Sequence, residues 1–314
     1  KFIDMYAGRL RNQVSFMLSA CNFYMPIFEE ALDAYGLPLE LRYLPIIESA
    51  LNPSAVSRAG ASGLWQFMIG TGKIYGLESN SLVDERRDPI KATWAAARYL
   101  KEMYDIYGDW NLVIAAYNCG PGTINKAIRR ANGETDYWKI YNYLPKETRG
   151  YVPAFIAANY VMTYYCDHNI CPMETNIPAS TDTVQVNQNL HFEQIADLCN
   201  VPLDQIKSLN PQYKKQMIPG DSKPYTLRLP IDAISTFIDK QDTIYAHRAD
   251  ELFRNRKTVT VKDITPATRK TTSAVAGKGN LTYHTIKSGD TLSTIAGKYG
   301  VTIKDIQRWN GMSS

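Results

Sequence analysis

Along the first 175 positions apolar residues recur every three or four places, the period of helices with one buried face. Pro38 marks a helix start, and Leu41, Leu44, Ile47 and Leu51 follow at that spacing. Glu48 lies four residues past Leu44 and borders the stripe. Pro45 is awkward within it, because a proline ring lacks the N–H and presses on the preceding turn, so the helix is expected to kink or shorten. Asp88-Pro89 reads as an N-cap followed by proline at the first helical position. The helix it opens runs through Ala92, Ala95, Ala96, Ala97 and Leu100 to a stop at Gly108, with small residues that allow close packing. Asp109 caps the next helix, which ends at Gly120-Pro121-Gly122. Residues 148–153 open a last long helix that continues through Tyr165.

Beyond residue 175 the pattern changes. Residues 191–211 and 291–311 align with each other: Ile195 with Ile295, Ala196 with Ala296, Val201 with Val301, Ile206 with Ile306, and Asn210 with Asn310. Each copy reads as two short helices around a turn. Strand-like runs flank them, over 183–186 and 226–229 in the first copy and 283–286 in the second, which makes a small βααβ unit. The second copy stops at Ser314 before any closing strand and reads as truncated. Between the copies, Ile231, Ile234, Phe237 and Ile238 keep helical period, whereas residues 256–281 are rich in Thr, Lys and Ala, the composition of a flexible linker. The expected organisation is α+β overall. A mainly α domain covers 1–175, a βααβ module 180–230, a helical segment 231–255, the linker 256–281 and a second module 282–314.

Composition narrows the function classes. A chain of 314 residues exceeds one ordinary core, and 45% hydrophobic and 21% charged residues are normal for a soluble globular protein. A net charge of +4 without a basic cluster argues against nucleic acid as a partner. No apolar run approaches the ~18 residues of a transmembrane helix. No signal peptide is recognisable either; the start at Lys1-Phe2-Ile3 reads as a processed or trimmed N-terminus, with which any export signal or lipid anchor would have been lost. Four scattered His and no paired Cys/His spacing argue against a metal, and no cofactor is expected. Cys166 and Cys171 either close a small disulfide loop in an oxidising compartment or stay as two buried thiols. The 21 Tyr offer flat faces with hydroxyls, suited to carbohydrate stacking, although most serve core packing.

The candidate chemistry lies in the helical half. Glu48 sits in Ile46-Ile47-Glu48-Ser49-Ala50-Leu51, followed by a Gly-rich aromatic loop and later by Ala115-Ala116-Tyr117-Asn118. Cleaving a glycosidic bond needs a proton on the leaving oxygen, and a Glu supplies it near neutral pH only if its pKa is raised, as burial against apolar groups does. The competing reading pairs Glu48 with Arg42 or Arg58. No second acid stands beside Glu48 in a motif, as a nucleophile or water-activating base requires; Asp84, Glu85 and Asp88 read as capping and ion-pair residues.

An ordered set of motifs covers residues 20–165. It comprises Glu48-Ser49, Ser57, Gly60-Ala61, Gly63-Leu64-Trp65-Gln66-Phe67-Met68, Thr71, Tyr75-Gly76-Leu77 and Asp84-Glu85-Arg86-Arg87-Asp88-Pro89. Gly108-Asp109-Trp110, Ala115-Ala116-Tyr117-Asn118, Tyr143-Leu144-Pro145, Glu147-Thr148-Arg149 and Tyr151-Val152-Pro153 complete it. This set resembles the lysozyme-like lytic transglycosylases of bacterial cell walls, in particular the membrane-bound murein transglycosylase D group, with LysM repeats after the catalytic domain. Cys119 departs from the usual Ala of that family.

The resemblance implies a peptidoglycan substrate, a location in the cell envelope, and Glu48 as the only general acid and base. It implies that Tyr117 orients or polarises Glu48, that Ser49, Ser57 and Gln66 bind sugar, and that Asn118 binds the N-acetyl group or fixes the loop. Phe67 and Met68 would form an apolar floor and Tyr151 would place a second hydroxyl over the site. Trp65 and Phe67 also read as core, Gly60 and Gly63 as turn residues, and Arg149 equally as an ion-pair partner or a ligand for muropeptide carboxylates. The repeats resemble LysM modules. Gly289, Asp290, Thr291 and Asn310 of the second copy are its implied glycan-binding residues, whereas Asn187-Gln188-Asn189-Leu190 makes the first copy degenerate and structural. A muramidase of the same fold that uses water, and a non-catalytic wall-binding protein, are the alternatives.

Overall fold

A computed structural model describes residues 1–253, apart from Asn176 and Ala179, together with Leu292–Tyr299, Val301 and residues 305–307. The helical half opens with α1 (Phe2–Asp4), one π-helical turn (Met5–Arg9) and the long α2 (Arg11–Ala34). A 3-10 turn (Leu39–Tyr43) leads into α3 (Leu44–Ser49). Pro45 thus sits in the first turn of a six-residue helix, where its missing N–H would have had no partner. After α4 (Ile69–Ile74) come α5 (Pro89–Tyr107), α6 (Trp110–Cys119), α7 (Pro121–Arg130), α8 (Tyr137–Ile140) and α9 (Lys146–Thr163).

The helix boundaries follow local chemistry. The Asp88 carboxylate accepts from the N–H groups of Ile90 and Lys91, both at 3.0 Å, and Gly108 ends α5 at a left-handed φ of 63°. Asp109 accepts from Leu112 N–H at 2.8 Å to start α6. Helix α9 begins two residues earlier than its sequence pattern suggests and carries Pro153 inside it. Pro153 cannot donate to the carbonyl of Arg149; the buried Tyr137 hydroxyl donates there instead, at 3.0 Å.

These helices pack around Trp65, which is fully buried. Its ring meets Phe28 edge-on at 5.3 Å and its indole N–H donates to Thr93 Oγ1 at 2.9 Å, so a large apolar side chain is buried without an orphaned donor. Ala92, Ala96 and Ala97 of α5 are fully buried, and the absence of larger side chains lets α2 and α6 lie close.

In the first repeat, β1 (Thr181–Val186) pairs antiparallel with β4 (Tyr225–Pro230), Val184 opposite Leu227. A second antiparallel pair, β2 (Asn189–His191) with β3 (Met217–Pro219), has no counterpart in the sequence reading. Between the strands run α10 (Phe192–Cys199) and α11 (Leu203–Leu209). Asn210 is fully buried and both donates to and accepts from the backbone of Arg228 at 2.8 Å, which ties α11 to β4. Helices α12 (Ile231–Asp239), α13 (Gln241–Ala246) and α14 (Ala249–Leu252) follow. Phe237 and Ile244 enter the module core, so these helices complete it rather than stand apart. The architecture is therefore mainly helical first and strand-containing afterwards, as the hydrophobic pattern indicates.

That second core also contains Leu82 and Val83 of the helical half. Val83 bridges Tyr213 in antiparallel fashion, Asp84 N–H donates to Gln212 C=O at 2.9 Å, and Lys214 N–H donates to Leu82 C=O at 2.8 Å. The second repeat is described over α15 (Leu292–Tyr299), where its first helix is expected. The linker 256–281 and most of the second module lie outside the described residues. Among the described residues no helix is long and apolar enough to cross a membrane.

Candidate active site

Glu48 stands in the last turn of α3, and the chain leaves that helix abruptly. Ala50 and Leu51 are both left-handed, at φ of 52° and 58°, a conformation that side chains with a Cβ disfavour. Ser49 pins the turn by donating to Leu64 C=O at 2.9 Å and Pro45 C=O at 3.1 Å. Gln66, on the loop that Ser49 holds, is left-handed as well, at φ 49°. Backbone strain of this kind persists only where the surroundings over-determine it, and it gathers at functional sites. Ala50 and Gln66 both line a cleft of about 420 Å³, together with Ile46, Ile47, Glu48, Ser49, Ala55, Val56 and Ser57.

Glu48 is half-buried on the wall of this cleft. Burial among apolar groups raises its pKa from the ordinary 4.5 to about 7; a hydrogen bond from Tyr151 works against that rise, and the like charge of Glu147 adds to it. Neither Arg42 nor Arg58 is its partner: Arg42 pairs with Glu29 and donates to the Tyr43 hydroxyl, and Glu48 accepts instead from the hydroxyl of Tyr151, 103 residues away in sequence. Burial and the Glu48 charge hold the Tyr151 phenol well above its usual pKa, so it stays a donor. The Tyr117 hydroxyl is committed elsewhere, to Trp65 C=O at 2.7 Å, with its ring among Phe67 and Tyr99. It lies close enough for the Glu48 charge to raise its own pKa, after burial the next largest cause.

The loop over residues 57–67 is held from behind. Ser57 closes its first turn, accepting from Ala61 N–H at 3.0 Å through its hydroxyl. Gln66 donates to Gly63 C=O at 2.8 Å and Ala55 C=O at 3.2 Å. Gly63 has φ 89° and packs on the Arg86 backbone so tightly that a Cβ would stand 1.8 Å from Arg86 O; no other residue fits. Gly60, also at positive φ, has open space around it and serves its turn alone.

Of the residues expected at the site, Glu48, Ser49, Ser57 and Gln66 line the cleft. Phe67 is buried and packs with Tyr75, Tyr99 and Tyr117, whereas Met68 is 45% exposed; neither is among the lining residues. Asn118 accepts from Thr148 Oγ1 at 2.9 Å and so joins α6 to α9. Gly289, Asp290, Thr291 and Asn310 lie outside the described residues. Cys166 and Cys171 are free, exposed thiols. The sequence reading missed another part of the lining: Tyr6, Leu10, Gln13 and Met17, from the π-helical turn, the residue after it and α2. A π turn is a frequent mark of a functional position, but it leaves no residue signature to read. It also missed Glu147, whose charge acts on Glu48 only because the fold brings α9 near α3.

Residues 25–140 match the family described as the transglycosylase SLT domain. Residues 180–246 match the LysM-like domain of lytic transglycosylase MltD, and residues 284–314 match the LysM domain. The chain carries an SLT domain followed by LysM-type modules. It is 33% identical over 279 residues to the membrane-bound lytic murein transglycosylase D of Escherichia coli (strain K12), covering 88% of this chain and 57% of that protein. Against the soluble lytic murein transglycosylase of the same strain it is 33% identical over 124 residues, 38% of this chain and 19% of the relative. The crystal structure of the 70 kDa soluble lytic transglycosylase from Escherichia coli superposes with a TM-score of 0.40 at 29% identity, over 46% of this chain and 24% of that one. The chain thus spans little more than half the length of the first of these relatives. Within the SLT match lie Glu48, the 57–67 loop and Tyr117; Tyr151, Glu147 and the Tyr6-to-Met17 lining lie outside it.

Proposed function

We propose that this chain is a peptidoglycan lytic transglycosylase that works in the bacterial cell envelope, on glycan strands of N-acetylmuramic acid and N-acetylglucosamine. The observation that carries this reading is a lone glutamic acid on a cleft wall whose proton is held to about pH 7 by burial and whose direct partner is a phenol. A carboxyl so placed is an acid at neutral pH and becomes a base once it has given its proton.

In this reading Glu48 donates its proton to the glycosidic oxygen between the two sugars, and the C1–O bond breaks as positive charge develops on the muramoyl ring. The resulting Glu48 carboxylate takes the proton of the muramoyl C6 hydroxyl, whose oxygen bonds to C1. A 1,6-anhydro ring closes, a free 4-hydroxyl is left on the departing sugar, and no water is consumed. Ser57 and Gln66 present polar groups along the same cleft for the sugar beside the scissile bond, and Tyr151 steadies the charged form of Glu48 by its hydrogen bond. Tyr117 acts through the backbone of Trp65 and by its position near the carboxylate.

One observation favours a second reading. Glu147 is near enough for its charge to act on Glu48, and a second carboxylate is what water activation requires. Mass spectrometry of a digest of purified peptidoglycan separates the two, because anhydro-muropeptides are one water lighter than hydrolysis products. Anhydro products from the parent, and none from Glu48→Gln, are the expected result. Hydrated products would establish a muramidase, and undiminished digestion by Glu48→Gln would remove Glu48 from the chemistry.

A further inference from the structure

The loop that carries Ser57 and Gln66 is gripped at both ends by one side chain. Arg86 is 5% exposed, and its Nη1 donates to Gly60 C=O at 2.8 Å and to Phe67 C=O at 2.9 Å. Two further donors go to Asp84, Nε to Oδ1 at 2.8 Å and Nη2 to Oδ2 at 2.7 Å. A guanidinium suits this task because its donors lie in one rigid plane. Arg87 adds a bond from Nε to the buried Ser62 hydroxyl at 3.0 Å, and Gly63 packs on the Arg86 backbone. The position of the loop therefore depends on where residues 84–87 stand.

Those residues are held from the other side by the first LysM-type module. Val83, fully buried, is part of the module core. Asp84 N–H donates to Gln212 C=O, and the Asp84 carboxylate lies 3.9 Å from Lys214 Nζ, which itself donates to Asn80 C=O at 2.6 Å. Farther along, Glu78 meets Lys223 at 2.6 Å and accepts from the Tyr225 hydroxyl at 3.1 Å. Burial lowers the pKa of Lys214, against the raising effect of Asp84. The module residues 212–214 are thus turned onto the helical half. In its absence Leu82 and Val83 would face water and Asp84 would lose its backbone partner.

We propose that this module is a buttress of the active-site loop, with Lys214 and Arg86 as positioning residues that act on catalysis through the Gly60-to-Phe67 backbone. Its rate readout rests on the lytic reading above; its structural readout does not. The test uses the full chain and three variants: Lys214→Met, Lys214→Arg and Val83→Ser. Amide hydrogen exchange is followed over residues 57–67, beside turnover of purified peptidoglycan and sedimentation of each protein with it.

Lys214→Met is expected to speed exchange in that loop about threefold to tenfold and to lower kcat/KM by a similar factor, with co-sedimentation unchanged; Lys214→Arg restores both. Val83→Ser gives the larger change of the same kind, and where it fails to fold Lys214→Met carries the test. Unchanged exchange over 57–67 in a folded Lys214→Met protein overturns the proposal. So does a loss of co-sedimentation with normal loop exchange, the signature of a module that binds glycan through this face. Should the parent show no turnover, the lytic reading fails while the exchange result still decides the buttress.

Discussion

Two carboxylates of this molecule, the buried Asp84 of the 78–88 segment and the half-buried Glu48 of the cleft wall, differ in their surroundings. Asp84, 1% exposed, receives two bonds from Arg86 and stands near the Lys214 ammonium, so its charge is matched wherever it turns. Glu48 receives one phenol hydrogen bond, stands among Ile46, Ile47 and Ala50, and feels a like charge from Glu147. Pairing a buried charge makes it a fixed structural element; starving it of partners makes it hold a proton. The first carboxylate shapes the loop around the second.

The largest contrast is between Glu48→Gln and Arg86→Met. The first is expected to reduce turnover by about 10³-fold or more, in the range of a lost general acid. It is also expected to stabilise the fold. The raised pKa means that the folded state favours the protonated form, so the parent has its full Glu48 contribution below pH 4.5 and loses it as pH rises to about 7. At ~1.36 kcal/mol per pK unit the glutamine variant gains up to about 3 kcal/mol above pH 7 and nothing below 4.5. Melting temperatures of both proteins across pH 4 to 8 check this; a constant difference across that range would mean that Glu48 is not held protonated. Arg86→Met, in contrast, leaves Asp84 buried without its main partner and is expected to destabilise by about 3–5 kcal/mol, read from denaturant unfolding.

Tyr151→Phe sharpens the cleft side. Its hydroxyl opposes the rise of the Glu48 pKa, so its removal moves that pKa further up, and the alkaline limb of kcat/KM shifts to higher pH. A hydrogen bond to a charged group contributes about 1.5–3 kcal/mol, so turnover should fall roughly tenfold to hundredfold. Tyr117→Phe, whose hydroxyl reaches the Trp65 carbonyl, should leave the limb nearer its original place. The reverse order of shifts would exchange the roles of the two tyrosines.

How far these relations could be read from the chain depends on sequence distance. The caps at Asp88 and Asp109, the shortened helix at Pro45 and the apolar setting of Glu48 are local, and each is legible within a turn or two of the helix. The alternation in β4 and the repeated Ile195, Ile206 and Asn210 were legible as a module, because period and repeat survive without contacts. The hydroxyl that meets Glu48 was not. Tyr117 and Tyr151 are the same residue type in two good motifs, and only packing of α9 against α3 selects Tyr151. Nor was the docking of Val83 on Tyr213, where the pattern near Val83 is short and irregular and its partner lies 130 positions on.

Glu147→Gln should produce the smallest change, and it decides the most about mechanism. Glu147 is exposed, at the start of α9, and its influence on Glu48 passes through its charge. Removing that charge lowers the Glu48 pKa by less than Tyr151→Phe raises it, and salt above about 0.5 M, where the screening length falls to a few ångströms, should erase the difference between variant and parent. If Glu48 acts alone, the variant keeps most of its turnover and releases the same anhydro products, with only its alkaline limb moved down. If Glu147 instead prepares a water molecule, the variant loses turnover at every pH and every salt concentration, a loss that screening cannot mimic. The salt series therefore separates a charge that tunes the acid from a base that takes part in the reaction.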